Sequence, residues 1–143
     1  MLKLVAQDDN GIAYLIETSS IGGANVVLLN IPCEPVAAIG DLVRMNNSSV
    51  AVRALADSMS NSNVIGIIEA KPSSNVCNIR VQGVSEDIFT GLDVTKEYYL
   101  SDVDPGKMIT TVPTTSGHIR LKIGQPFSTL AFLMNKSDRL IRA

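Results

Sequence analysis

The sequence predicts an all-β fold, a compact antiparallel sandwich or barrel preceded by an N-terminal hairpin or arm. Three observations predict it. Short β-branched or alternating runs recur along the chain, and Gly, Pro, Asn and Ser clusters separate them. No amphipathic period of helical length competes with them. With three Tyr, three Phe and no Trp, the core falls to Val, Ile, Leu, Ala and Met.

The elements follow in order. Leu2 to Gln7 and Ile12 to Glu17 flank Asp8-Asp9-Asn10-Gly11, where Asn-Gly marks a hairpin turn. After a loop at Thr18 to Gly23, Asn25 to Ile31 reads as a second strong strand. Pro32 and Pro35 cannot donate to a ladder, so the chain there is an edge or a crossing between layers. Gly40-Asp41 turns the chain into a strand ending at Asn46-Asn47, and Ser49 to Ala54 pairs back. Ala54 to Ser60 is the one place where a helical turn fits, of one or two turns at most.

Val64 to Lys71 is a strand in which Gly66 marks a bulge or a close backbone approach. Pro72-Ser-Ser-Asn75 turns it toward Val76 to Val81, and Gly83 to Gly91 is irregular. Tyr98-Tyr-Leu, Lys107 to Thr110, Ile119 to Ile123 and Thr129 to Met134 complete the series. Tyr98 and Tyr99 face opposite ways, Pro105-Gly106 is a turn, Pro113 stops ladder pairing and Gly117 releases the chain into the next strand. The expected division is an arm over residues 1–35, which serves as an interface, and a β-sandwich or barrel over 36–143.

Composition excludes several classes of function. A length of 143 residues suits one domain with a core of its own, and 45% hydrophobic against 18% charged residues is globular composition. A net charge of -2 leaves no basic footprint for nucleic acid. No apolar run reaches the ~20 residues of a membrane span, and the N-terminus meets acids before a signal-length stretch develops. The expectation is a protein made in a cytoplasm, with no nucleic-acid or membrane partner.

Candidate sites are few. Cys33 and Cys77 lie in strand-like runs without metal-ligand spacing and read as small buried hydrophobes; a bridge between them stays open if their strands are neighbours. His118, the only histidine, opens His-Ile-Arg-Leu-Lys-Ile, whose polar members share a solvated face. Asp102, Asp104 and Gly106 partly match a calcium loop, but no third acid and no closing glutamate follow, so the turn reading is preferred. Ser19-Ser-Ile-Gly-Gly23 lacks the spacing and the helix of a phosphate loop. Glu86 and Asp87, adjacent on a strand, would point apart. No catalytic, cofactor or metal residues are assigned, and the expectation is a non-enzyme without cofactor.

Ile39-Gly-Asp-Leu-Val-Arg-Met, Asn63-Val-Ile-Gly-Ile-Ile-Glu-Ala-Lys-Pro-Ser, Cys77-Asn-Ile-Arg-Val-Gln-Gly and Gly91-Leu-Asp-Val-Thr-Lys-Glu-Tyr-Tyr-Leu-Ser form a recognisable succession. Pro105-Gly, Pro113-Thr, Gly124-Gln-Pro and the final Thr-Leu-Ala-Phe-Leu-Met-Asn continue it. Together, from about Ile39 to Asn135, they resemble a β-domain of tailed-bacteriophage structural proteins: capsid decoration (cement) proteins, head fibres and tail-fibre segments. The resemblance implies a virion protein on the capsid surface, partnered by the major capsid protein lattice and by copies of itself, most simply as a homotrimer. A fibre module for host-surface recognition is the alternative. The apolar N-terminal residues, up to Pro35, lie outside the resemblance and either add strands to the domain or pack on a partner. A length of 143 residues leaves little room for both a capsid-binding base and a receptor-binding tip, which favours a short decoration protein.

Overall fold

The computed structural model describes the backbone of residues 2–7, 13–18 and 24–142, and side chains from Asn25 to Arg142. Among these residues there is no helix, and 42% of the chain is strand. The fold is all-β. Eleven strands form one large antiparallel sheet curled into a half-barrel, and two more form a small sheet.

The strands are β1 (Leu2–Gln7), β2 (Ala13–Thr18), β3 (Ala24–Pro32), β4 (Leu42–Met45), β5 (Ala51–Arg53), β6 (Gly66–Ser73) and β7 (Val76–Val84). Then come β8 (Tyr98–Leu100), β9 (Met108–Ile109), β10 (Ile119–Arg120), β11 (Lys122–Pro126), β12 (Phe132–Met134) and β13 (Leu140–Ile141). The main path runs β1-β2-β3-β7-β12-β11-β8-β9, with β6, β4 and β5 branching from β7. β1 and β2 pair from Leu2↔Thr18 to Gln7↔Ala13, the expected first hairpin with its return strand starting one residue later than Ile12. Its Asp8–Gly11 turn lies outside the described residues. β3 joins these two strands to the rest of the sheet, because its other edge pairs with β7 from Val26 to Pro32.

Two apolar clusters hold the sheet. One gathers Leu42, Ala54, Ile67, Leu100, Ile123 and Phe132, among others; the second gathers Ile31, Cys33, Val43, Ile68, Cys77 and Ile79 with neighbours. Consecutive residues of β4 (Leu42, Val43) and of β6 (Ile67, Ile68) serve different clusters. Because successive strand residues face opposite ways, these two strands are buried on both faces. Two aromatics pack on Phe132: Tyr98 meets it edge-on at 5.7 Å and Phe89 at 6.2 Å. Tyr99 turns the other way and is covered by the Arg120 guanidinium, 5.6 Å from its ring centre.

Most turn signals act as expected. After Pro32 the chain crosses from β7 toward β5: Cys33 N–H donates to Asn75 O, and Glu34 N–H to Ala51 O. Lys107 N–H donates to Asp104 O across Pro105-Gly106, and Gly106 takes the positive φ of +78° that such a turn needs. At Gly66 an added Cβ would lie 2.2 Å from Arg80 O, the close backbone approach anticipated there.

Three elements differ from expectation. Ala54 to Ser60 forms turns instead of a helix, because its carbonyl acceptors are engaged elsewhere: Ala54 O accepts the Gly106 N–H and Ala56 O the Ile119 N–H. Only Ser62 N–H to Ser58 O resembles a helical turn. The run from Ile119 to Ile123 is two strands, β10 pairing with β13 and β11 with β8 and β12. β13 itself was not anticipated. Ile119, Leu121 and Ile123 still alternate inward, so the period is kept while the partners change.

Candidate functional site

The most developed polar site lies where β3, β6 and β7 meet. Arg80 occupies the middle of this junction, its Cα opposite Val27 on β3 and Ile67 on β6. Each neighbouring register is interrupted. Between Ile68 and Ala70, β6 carries one residue more than β7, and that residue is Glu69. β3 carries an extra residue between Leu28 and Ile31, where Asn30 takes a φ of 57° and its N–H donates to Asn78 Oδ1 at 3.0 Å. β7 carries one between Arg80 and Gln82. Glu69, two residues on from the Arg80 partner Ile67, faces the same side as Arg80, and the bulge locally bends the strand there.

Glu69 and Arg80 form a buried ion pair. Arg80 Nε donates to Glu69 Oε2 at 2.9 Å, and the same oxygen accepts the Glu86 N–H at 2.9 Å. The Arg80 and Glu69 side chains are 10% and 6% exposed, so little solvent screens them. Above them opens a cavity of about 380 Å³, whose wall includes Asn25, Val27 and Leu29 from β3 and Asn78 from β7.

The opposite face of β3 is apolar. Val26, Leu28 and Ile31 line a groove of about 420 Å³ with Met45, Ile65, Val81 and the stem of Lys136. It is the open margin of the second core cluster, against which Leu28, Ile65 and Val81 pack. Val26 and Leu28 are cross-strand partners of Ile16 and Tyr14 on β2, so β1 and β2 extend the sheet beside the groove. Lys136 Nζ bonds to Val64 O at one end, and burial, then the Arg139 charge, hold its ammonium below the usual lysine range.

The residues singled out from sequence fall elsewhere. Among the outward members of the alternating run, Arg120 is exposed and Lys122 is partly covered, as is His118. Its ring is half-covered, and Nδ1 lies 2.8 Å from Asp102 Oδ2. An aspartate orienting a histidine is one part of a nucleophile-activating set. Among the described residues no hydroxyl or thiol hydrogen-bonds to this ring, and the pair ties the turn after β8 to the start of β10. Asp104 lies in the Pro105-Gly106 turn. Glu86 and Asp87 follow β7 in irregular chain, not on a strand, and Glu86 instead borders the Glu69–Arg80 cavity. Ser19 to Gly23 lie outside the described residues.

Cys33 and Cys77 are buried free thiols in the second cluster. Their strands are neighbours, since Ile31 pairs with Cys77 and Cys33 N–H donates to Asn75 O. Burial, reinforced by a hydrogen bond with the Cys33 side chain, pushes the Cys77 thiol up to about 12.

Sequence reasoning missed the Glu69–Arg80 pair. A signal was present: Glu69 and Arg80 are charges of opposite sign inside two apolar runs that read as partner strands. A charge in such a position is buried only with a counter-charge. Compared with known proteins, the chain matches no family, no curated protein and no solved structure.

Proposed function

We propose that this chain is a non-enzymatic structural protein of a tailed-phage virion, a capsid decoration protein that docks on the assembled head as a symmetric oligomer, most simply a trimer. The supporting observation is the apolar groove formed by Val26, Leu28, Ile31, Met45, Ile65 and Val81, alongside the β1–β2 extension of the sheet. The sequence resemblance supplies the phage context, and the groove supplies a means of attachment.

An open apolar margin and an edge strand invite association, so a partner that covers both gains stability and prevents uncontrolled aggregation. Closed symmetry repeats one such contact, and a capsid lattice presents matching local three-fold points. Many weak contacts over a shell then strengthen it without high affinity at any single site. The partner in this reading is the major capsid protein lattice, and the chain acts at the capsid surface.

The test is co-sedimentation of the purified chain with shells assembled without it, together with its mass in solution. Saturable binding by a trimer is the expected result. A strict monomer that ignores shells and adheres to host cells overturns the reading in favour of a fibre module. The polar cavity on the other face of β3 is the observation that favours that second reading.

A further inference from the structure

We propose that the cavity above the Glu69–Arg80 pair is a binding site for one neutral sugar unit. The starting point is an incompletely used guanidinium. Arg80 is 8% exposed, yet only its Nε is engaged, with Glu69. Its two Nη groups have no protein hydrogen-bond partner among the described residues and border the cavity. Neither Nη is among the buried side-chain atoms that lack a partner, so both reach solvent in the cavity, where a ligand hydroxyl can take the place of water.

The other groups narrow the chemistry. Asn78 Oδ1 accepts the Asn30 N–H and Asn25 Oδ1 accepts the Val84 N–H, which orients each amide with its NH₂ as the remaining donor. Glu69 and Glu86 add acceptors at the same cavity. Two carboxylates against one guanidinium leave the site net negative, which disfavours a free anion; the guanidinium in turn disfavours a cation. Hydroxyl groups donate and accept at once, so a neutral polyol answers both sets of groups. Val27 and Leu29 offer apolar wall for the C–H face of a sugar ring. The volume of about 380 Å³ is near the lower end of small-molecule sites, which run to roughly 300–1,000 Å³, and suits a single unit.

The site stands on different residues from the apolar groove, so sugar binding and shell binding succeed or fail independently. The experiment is a ¹H–¹⁵N titration of the full chain with glucose, galactose, mannose and N-acetylglucosamine, with sodium acetate and sodium phosphate in parallel. At least one sugar should shift the Asn78, Arg80 and Glu86 amides saturably, with a Kd on the order of millimolar. Arg80→Lys keeps a cation for Glu69 but removes the planar fork, and should weaken that binding by about tenfold or more. Glu86→Ala removes an exposed carboxylate that the fold does not use, and should weaken it several-fold; it carries the test if Arg80→Lys fails to fold. Saturation by acetate or phosphate in preference to every sugar overturns the proposal. So does the absence of saturable shifts at these amides, or binding unchanged in the folded variants.

Discussion

Gly66 is a residue at which backbone geometry leaves little choice. A Cβ there would sit 2.2 Å from Arg80 O and 2.6 Å from Ile79 Cγ2, so β6 and β7 would have to separate. Gly66→Ala should cost about 3 kcal/mol, at the upper end of overpacking penalties, read as a lower urea midpoint with an unchanged slope. Cys77 offers a second test at this scale. Its thiol is raised from 9.0 to about 12, so the folded state holds its proton more tightly than the unfolded chain. The associated stability is complete below about pH 9 and is lost as pH rises toward 12. The stability difference between wild type and Cys77→Ala should therefore narrow from about pH 8 to about pH 11 in urea melts. A constant difference would show that the thiol does not titrate abnormally. The burial of both cysteines was legible in the sequence, from their apolar runs; their side-by-side placement was not, because it depends on which strands pair.

At the scale of elements, the charge pair at the bulge in β6 sets the character of the junction. Glu69, the bulge residue, meets both Arg80 Nε and the Glu86 N–H. Glu69→Ala leaves a buried guanidinium without its counter-charge and should cost about 3–5 kcal/mol in chemical denaturation. The double variant Glu69→Leu with Arg80→Met removes both charges and should be clearly more stable than the single one. A double variant as unstable as Glu69→Ala would mean that packing, not the charge pair, sets the cost. The strands β6 and β7 and their connecting turn were legible in the sequence, because β-branched runs flank Pro72-Ser-Ser-Asn75. The bulges were not, because a two-residue side-chain period carries no mark of where one strand gains a residue on its partner.

For the whole molecule, the contrast between the two faces of β3 organises what the chain can do. One face closes the second core cluster only in part and leaves the groove of Val26, Leu28, Ile31, Met45, Ile65 and Val81; the other carries the polar cavity. If the groove is an association surface, Met45→Glu combined with Val26→Glu should reduce self-association and shell binding by about tenfold or more while the thermal midpoint moves little. Light scattering and co-sedimentation read both effects. Unchanged assembly in this folded variant would remove the groove from the proposed interface.

The sequence by itself determined the class of the fold, most of its strands and its sharpest turns. These rest on local chemistry: β-branched side chains, a period of two, the fixed φ of Pro105 and the freedom of Gly106. Tertiary structure alone decided that Ala54 to Ser60 is not helical, since the Gly106 and Ile119 N–H groups, distant in sequence, take its carbonyl acceptors. It also decided that Ile119 to Ile123 splits between two sheets, that Asp102 meets His118, and that Glu69 meets Arg80. The physical reason is the same in each case. Backbone preference is written in neighbouring residues, whereas a hydrogen-bond or charge partner is supplied by whichever distant strand the closing sheet brings alongside.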